Sequence, residues 1–171
     1  MGTIKGTYDF AKHPGMGLVV LSTSLDNPEA CRLWPEPLGN LFFRSATVDE
    51  NGKPYRLRYL LSGGAPEFFV KEVPAGYYRL ESLNISMFGG AAWTDAPVPH
   101  SFSVEAGEVV YLGELTITLD GYISGQNCPI TNYKTLLKNQ WERDRKWFKR
   151  DIENIDAAAA QVRLLSLPEA S

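Results

Sequence analysis

The feature that most constrains this chain is a succession of short apolar runs, separated by turn-forming residues, that continues from residue 17 to about residue 130. The runs have strand length and are rich in Val, Leu, Phe and Tyr, and no helical period interrupts them. About seven such runs joined by short turns predict a mainly β fold, an antiparallel β-sandwich. A chain of 171 residues suits one domain with a sizeable core.

Three turns carry the clearest local signals, and each predicts a hairpin. Asn51-Gly52 favours the positive φ angles of a type I′ turn. In Pro74-Ala75-Gly76 the proline pre-sets the turn and the glycine permits positive φ. The third turn is Glu105-Ala106-Gly107-Glu108. The predicted strand pairs are 41–48 with 55–61, 68–73 with 77–83, and 101–104 with 109–119.

The hydrophobic period becomes helical near Leu136. The apolar stripe consists of Trp141, Phe148, Ile152, Ile155, Ala159 and Val162. This pattern predicts one long C-terminal helix over residues 136–165, packed on the sandwich or on a second subunit of a homo-oligomer. Residues 1–16 are predicted to form a flexible arm, residues 17–135 the sandwich domain, and residues 166–171 a tail.

Charge and hydropathy exclude several classes of protein. A net charge of -3 argues against a nucleic-acid binder, which shows a strong basic excess. No apolar stretch is long enough to span a bilayer, and residues 1–6 lack the apolar core of a secretory signal. Two interpretations follow: a cytoplasmic protein, or a mature exported domain whose leader, with any membrane anchor, precedes this chain.

The two cysteines, Cys31 and Cys128, lie far apart and belong to no CxxC motif. A bridge between them would close a long loop, and export would favour it. The alternative is a pair of buried thiols that act as small apolar side chains. Neither cysteine has a nearby histidine, so no metal site and no cofactor are predicted.

Histidine is scarce, which limits acid–base chemistry. His13 lies in the predicted arm, and His100 ends a loop over residues 87–100 that also contains Asp95. A hydrolase-type enzyme would have to be centred on His100, but no Gly-x-Ser-x-Gly elbow accompanies it. No catalytic residue is therefore predicted, and His100 stays a ligand-binding candidate.

Trp34 and Trp93 are the other candidates for ligand contact. Both lie in segments flanked by proline or glycine, where a core role is less automatic. Exposed tryptophans on the rim of a sandwich are suited to binding sugars or peptides. The alternative is that these side chains plug the ends of the sandwich.

Three segments resemble known bacterial proteins. Residues 73–80 fit the pattern V-P-x-G-x-Y-x-L and resemble a hairpin of prealbumin-like domains, which include carboxypeptidase regulatory-like modules. Residues 102–113 resemble a segment of uncharacterised bacterial periplasmic proteins and lipoproteins, and residues 142–148 resemble the charged C-terminal segment of some of these.

The resemblance covers about half of the chain. It implies a prealbumin-like sandwich located in the periplasm or on a lipoprotein anchor, without a known catalytic site. The leading hypothesis is a non-enzymatic structural or interaction module of the cell envelope that binds a protein partner. The alternatives are a carbohydrate-binding module that uses loop aromatics, and the hydrolase-type enzyme centred on His100.

Overall fold

The computed structural model describes residues 3–33, 38–87, 90–95 and 100–166, apart from the side chains of Met87 and of residues 90–95. These residues form ten strands and one α-helix. The strands are β1 (Met16–Asp26), β2 (Leu38–Val48), β3 (Pro54–Ser62), β4 (Glu67–Pro74), β5 (Gly76–Met87), β6 (Gly90–Asp95), β7 (Ser101–Val104), β8 (Val109–Gly121), β9 (Ile130–Lys138) and β10 (Gln161–Val162). The helix α1 is Trp141–Asp151.

The strands form two sheets. In the first, the order is β4-β1-β8, and the far side of β8 pairs with β10 near one end and with β9 along the rest. In the second, the order is β3-β2-β5, and the far side of β5 pairs with β7 and β6 in the same divided manner. We call the first the covered sheet and the second the open sheet, because they differ in what lies on their outer faces.

The main core lies between the two sheets. The alternation of apolar and charged residues in β3 predicts Tyr55, Leu57 and Tyr59 on one face and Arg56 and Arg58 on the other. Leu57 and Tyr59 are buried and both arginines are exposed, but Tyr55, at the start of the strand, is exposed as well. Inward side chains from both sheets fill the space, and they include Leu21, Phe43, Tyr59, Leu83 and Leu115. The open sheet therefore turns its polar side outward.

A second core covers the outer face of the other sheet. Phe148 and Ile152, at the end of α1, pack with Tyr8 against Leu18 and Tyr111 of β1 and β8. Cover on both faces explains why consecutive residues of β1 and β8 are buried, rather than every second one.

Of the three predicted hairpins, one is confirmed and two are wrong. β2 and β3 pair antiparallel across the Asn51-Gly52 turn. β4, however, pairs with β1 while β5 pairs with β2, and β7 pairs with β5 while β8 pairs with β1. These two turns carry the chain from one sheet to the other, because turn residues fix a reversal but not the strand that the chain then joins. The pairing of β1 with β8 is parallel, so the sandwich is not wholly antiparallel as predicted.

The predicted helix over residues 136–165 is too long. Residues 136–138 belong to β9, α1 ends at Asp151, and Ile152 is extended and bridges Gly6. Further on, Ala157–Ala159 make a single 3₁₀ turn capped by the Asp156 carboxylate. Pairing with β8 and packing on the covered sheet outweigh the helix propensity of this region. The predicted loop over residues 87–100 likewise contains β6, which pairs with β5.

The N-terminal segment is not the loose arm that the sequence predicts. The Ile4 amide donates to the Val70 carbonyl at 2.8 Å, and the Gly6 amide donates to the Asp151 carbonyl at 2.7 Å. Tyr8 is buried in the second core. The segment therefore lies beside α1 and helps to cover the outer face of the covered sheet.

Contacts between the sheets close both sides of the sandwich. On one side, the Thr23 hydroxyl and the Lys71 ammonium donate to the carbonyls of Leu60 and Arg58 on edge strand β3. On the other, the segment after β10 donates from Leu165 to the Leu112 carbonyl and exchanges two hydrogen bonds between Ser166 and Ser101. Carbonyls of both edges are thus hydrogen-bonded, whereas the outer face of the open sheet has no such cover among the described residues.

Candidate functional site

A disulfide joins Cys31 and Cys128, whose Cα atoms are 6.4 Å apart. Both cysteines are buried at one end of the main core. The bridge ties the 3₁₀ turn Glu29–Cys31 to the connection between β8 and β9, so the alternative of two separate thiols does not describe this fold.

His100 lies between the sheets and is nearly buried, with 7% of its surface exposed. Its Nε2 atom is 3.4 Å from the Thr135 hydroxyl, and its Nδ1 atom has no hydrogen-bond partner among the described residues. Burial lowers the pKa of His100. The imidazole is therefore a neutral contact between the two sheets, and none of the described carboxylates hydrogen-bonds to it as a triad would require.

The two tryptophan candidates are described only in part. Trp34 lies outside the described residues. The backbone of Trp93 belongs to edge strand β6, opposite Asn84 of β5, and its side chain is also outside the description. The prediction that these tryptophans contact a ligand stays a prediction.

A histidine–carboxylate pair that the sequence did not reveal holds the N-terminal segment. Glu72 Oε2 accepts a hydrogen bond from the Tyr8 hydroxyl at 2.6 Å and lies 2.8 Å from His13 Nδ1. The rings of Tyr8 and His13 stack with centroids 5.0 Å apart. Burial and the Glu72 carboxylate both raise the pKa of Tyr8. These contacts fasten the segment to β4.

A buried polar cluster fastens the start of α1. The Asp144 carboxylate is fully buried and accepts hydrogen bonds from Ser22 Oγ at 2.7 Å and from the Tyr111 hydroxyl at 2.6 Å. Arg143 donates to the same carboxylate at 2.7 Å and lies 2.6 Å from Glu114. Both carboxylates contact the Arg143 guanidinium, and Asp144 is also hydrogen-bonded by two hydroxyls, so these buried groups stabilise the position of the helix.

The open sheet carries three arginines side by side. Arg44 of β2 is directly opposite Arg56 of β3 on one side and Arg79 of β5 on the other. All three are exposed, and neighbouring strands are about 4.8 Å apart. Like charges at directly opposed positions destabilise a sheet, so this arginine row costs stability unless an anion lies on it.

The compensation within the sheet is incomplete. Glu81 is the single acidic residue of β2, β3 and β5, which together contain four arginines. Its carboxylate is 2.8 Å from Arg56 Nε but 3.7 Å from Arg44 Nη1. Within the described part of the chain, Arg79 makes no ion pair or side-chain hydrogen bond. Positive charge is therefore concentrated on one face of a protein whose net charge is -3.

Neighbouring side chains hold both arginines of β3, Arg56 and Arg58, in place. The guanidinium of Arg56 lies over the Phe42 ring, 4.9 Å from its centroid. Arg58, on the same face, donates from Nε to the Asn40 side-chain oxygen at 2.6 Å. Arg56 and Arg58 thus each have Nε engaged, whereas Arg44 and Arg79 donate no side-chain hydrogen bond within the described residues and are the less constrained pair.

A cleft of about 400 Å³ adjoins this pair. Arg44 and Arg79 line one part, and the exposed ring of Tyr77 lines another. Its remaining apolar wall comes from Ala46, Val48 and Pro54. The arrangement suits a ligand with one anionic group and one compact apolar surface.

The sequence pattern indicated an outward face for Arg56 and Arg58, but it did not reveal the row. Arg44 and Arg79 follow aromatic pairs, Phe42-Phe43 and Tyr77-Tyr78, and nothing local distinguishes them. The pairing of β2 with β5 brings them together, and the expected partner of β5 was a different strand.

Comparison with known proteins gives no relatives. No family model matches the chain, and searches of curated proteins and of solved structures find no match. Within the described ranges, no helix is long and apolar enough to cross a lipid bilayer. The same ranges contain no group of three or more His, Cys, Asp or Glu residues placed to hold a metal ion.

Proposed function

We propose that this chain is a non-enzymatic binding module that holds an anionic partner on the outer face of its open sheet. The observation that carries the proposal is the arginine row, in which Arg44 is flanked on both sides by another arginine at directly opposed positions. A guanidinium presents a planar set of donors that matches a carboxylate or phosphate, and paired guanidinium–oxyanion contacts are among the strongest hydrogen bonds in proteins.

The contrast between the two sheets supports this choice of surface. The outer face of the covered sheet is occupied by α1 and the N-terminal segment, which bury apolar residues of β1 and β8. In the open sheet, strands β2, β3 and β5 have on their outer face four arginines with one carboxylate, Glu81. A partner with negative charge would remove the repulsion within the row, and this gain adds to the direct contacts that the partner makes.

We further propose a prealbumin-like sandwich and a place in the bacterial envelope, as a periplasmic or lipoprotein-anchored module. The resemblance of residues 73–80 and 102–113 supports both statements. The Cys31–Cys128 disulfide adds support, because such bridges persist in oxidising compartments and are rare in the cytoplasm. Fractionation of cells that express the full native gene, with a periplasmic and a cytoplasmic marker, tests the location. Recovery with the cytoplasmic marker would refute it.

The binding test measures affinity for acidic ligands by fluorescence anisotropy. The ligands are labelled polyglutamate and labelled polygalacturonate, titrated at two salt concentrations. We expect the wild-type protein to bind, with an affinity that falls as salt rises. The double variant Arg44→Glu/Arg79→Glu should lose at least about tenfold in affinity, which corresponds to about 1.4 kcal/mol.

The matched control is Arg32→Glu, because Arg32 is also exposed but lies outside the open sheet. This single substitution changes the net charge by half as much as the double variant does. A second control, Arg32→Glu/Lys134→Glu, therefore matches the full charge change at two exposed positions outside the open sheet. Equal losses from the two double variants would show that net charge alone matters and would remove the arginine row from the function. The proposal is refuted if the wild-type protein binds neither polyglutamate nor polygalacturonate.

The carbohydrate-binding alternative through Trp34 and Trp93 has its own test. A glycan array with Trp93→Ala should show a loss of signal if that ring contacts a sugar. An unchanged pattern with Trp93→Ala would remove this tryptophan from the site.

A further inference from the structure

We infer that the cleft at the Arg79 end of the arginine row recognises an acidic sugar, that is, a pyranose ring that carries a carboxylate. The inference rests on the proposed function, because it names the unit of the anionic partner that the open sheet selects. It uses four properties of the cleft: its guanidinium groups, its aromatic wall, its size and the fixed backbone beside it.

The guanidinium groups define where the carboxylate binds. Arg44 and Arg79 line the cleft from neighbouring strands at directly opposed positions. Arg44 is 3.7 Å from the nearest Glu81 oxygen, which is longer than a hydrogen bond, and Arg79 makes no ion pair among the described residues. One carboxylate between the two side chains can therefore accept hydrogen bonds from both.

The aromatic wall distinguishes a sugar from other anions. Tyr77 precedes Arg79 by two residues in β5, so both side chains emerge from the same face of the sheet. Tyr77 is 40% exposed and borders the cleft together with Ala46, Val48 and Pro54. A pyranose ring has an apolar face of C–H groups that packs on such a surface, while a phosphate or a glutamate side chain has no comparable face.

The size of the cleft agrees with this ligand. Its volume is about 400 Å³, near the lower end of the range found for small-molecule sites, which starts at roughly 300 Å³. A space of this size accommodates one or two sugar rings. The cleft would hold one unit of an acidic polysaccharide, and the remaining arginines, Arg56 and Arg58, would meet the charges of the next units.

The inward neighbour of the two ligand-facing residues keeps their backbone in place. Tyr78 stands between Tyr77 and Arg79 in sequence, is fully buried, and donates its hydroxyl to the Pro74 carbonyl at 2.7 Å. Its ring stacks on Phe102, with centroids 5.0 Å apart. Binding therefore does not require this part of β5 to become ordered, which lowers the entropic cost of association.

The experiment compares four probes by isothermal titration calorimetry. They are trigalacturonate, its trimethyl ester, a glutamate peptide with the same net charge, and vesicles that contain phosphatidylglycerol. We expect the wild-type protein to bind trigalacturonate at least about tenfold more tightly than the ester, since the ester keeps the rings but lacks the charge. We also expect tighter binding of trigalacturonate than of the peptide or the vesicles.

Two variants separate the roles of the ring and the charge. Tyr77→Ala should weaken trigalacturonate binding at least about fivefold and leave the peptide unaffected, whereas Arg79→Gln should weaken both. Tyr122→Ala is the control, because Tyr122 is a similarly exposed tyrosine outside the cleft. Thermal melting of each variant verifies that it is folded.

The outcomes distinguish this inference from the function on which it rests. If Tyr77→Ala weakens the peptide as much as the sugar, or weakens neither, the acidic-sugar inference is overturned while the arginine row remains a general anion-binding surface. Tighter binding of the peptide or of the vesicles has the same consequence and assigns the partner to that class. If no probe binds, both the inference and the proposed function fall.

Discussion

Replacement of Asp144 with alanine should destabilise the protein by about 4 kcal/mol, because this carboxylate is the acceptor on which a buried cluster depends. The substitution removes the partner of two buried hydroxyls, Ser22 and Tyr111, that now donate to it at 2.7 and 2.6 Å. A buried donor that loses its acceptor costs about 1–3 kcal/mol. Arg143 loses less, because it is one third exposed and keeps its contact with Glu114.

The two hydroxyls at about 1.5 kcal/mol each, with a further 1 kcal/mol or so for Arg143, give the total of about 4 kcal/mol. This is a large part of the roughly 5–15 kcal/mol that stabilises a typical domain. Asp144→Asn keeps one acceptor oxygen and the volume of the side chain, so we expect roughly half the loss. The order wild type, asparagine, alanine is therefore part of the prediction.

Urea unfolding followed by tryptophan fluorescence measures the effect. With a slope of about 2 kcal/mol per molar, the midpoint of Asp144→Ala should fall by about 2 M. Glu142→Ala is the matched control, since Glu142 lies in the same helical turn but its side chain is 80% exposed and forms a surface ion pair with Arg145. It should change stability by no more than about 0.5 kcal/mol. A loss below about 1 kcal/mol for Asp144→Ala would refute the view that the cluster anchors α1.

Two further predictions concern the disulfide and the buried histidine. Cys31→Ser/Cys128→Ser should lower the free energy of unfolding by up to about 4.7 kcal/mol, since the bridge closes a separation of 97 residues, and an unchanged urea midpoint would contradict this. Burial lowers the pKa of His100 below 6.5, so the unfolded chain binds a proton that the folded protein does not, and stability falls as the pH drops below 6.5. Between pH 7 and 5, the free energy of unfolding should fall less steeply with pH in His100→Gln than in the wild type, by up to about 1.4 kcal/mol per pH unit. Identical slopes for the two proteins would refute this prediction.

The sequence predicted the features that depend on short-range pattern. Alternation in β3 placed Leu57 and Tyr59 inward and Arg56 outward, and the Asn51-Gly52 turn indicated the hairpin of β2 and β3, which forms as predicted. Both features involve neighbours within a few residues. Side-chain period and turn chemistry are therefore enough to determine them.

Turn residues and hydrophobic period did not predict correctly which distant strands pair. The turn before Gly76 does reverse the chain, yet β4 joins β1 and β5 joins β2. In the C-terminal region, a stripe from Trp141 to Val162 fits a helix, but Ile152 is extended and still buries its side chain against the covered sheet, while Val162 is exposed. Burial rewards any backbone that places an apolar group in the core, so period alone did not exclude strands here.

At the candidate site, too, local sequence pattern predicted the strands but not how they pair. The sequence by itself predicted that Arg44, Arg56 and Arg79 lie on strands. Only the tertiary structure decided that these arginines stand side by side, because the register of β2 against β3 and β5 sets which residues face each other across strands. Register depends on the whole buried face of each sheet, where a shift of one residue would expose the core, and a local segment of sequence does not contain that information.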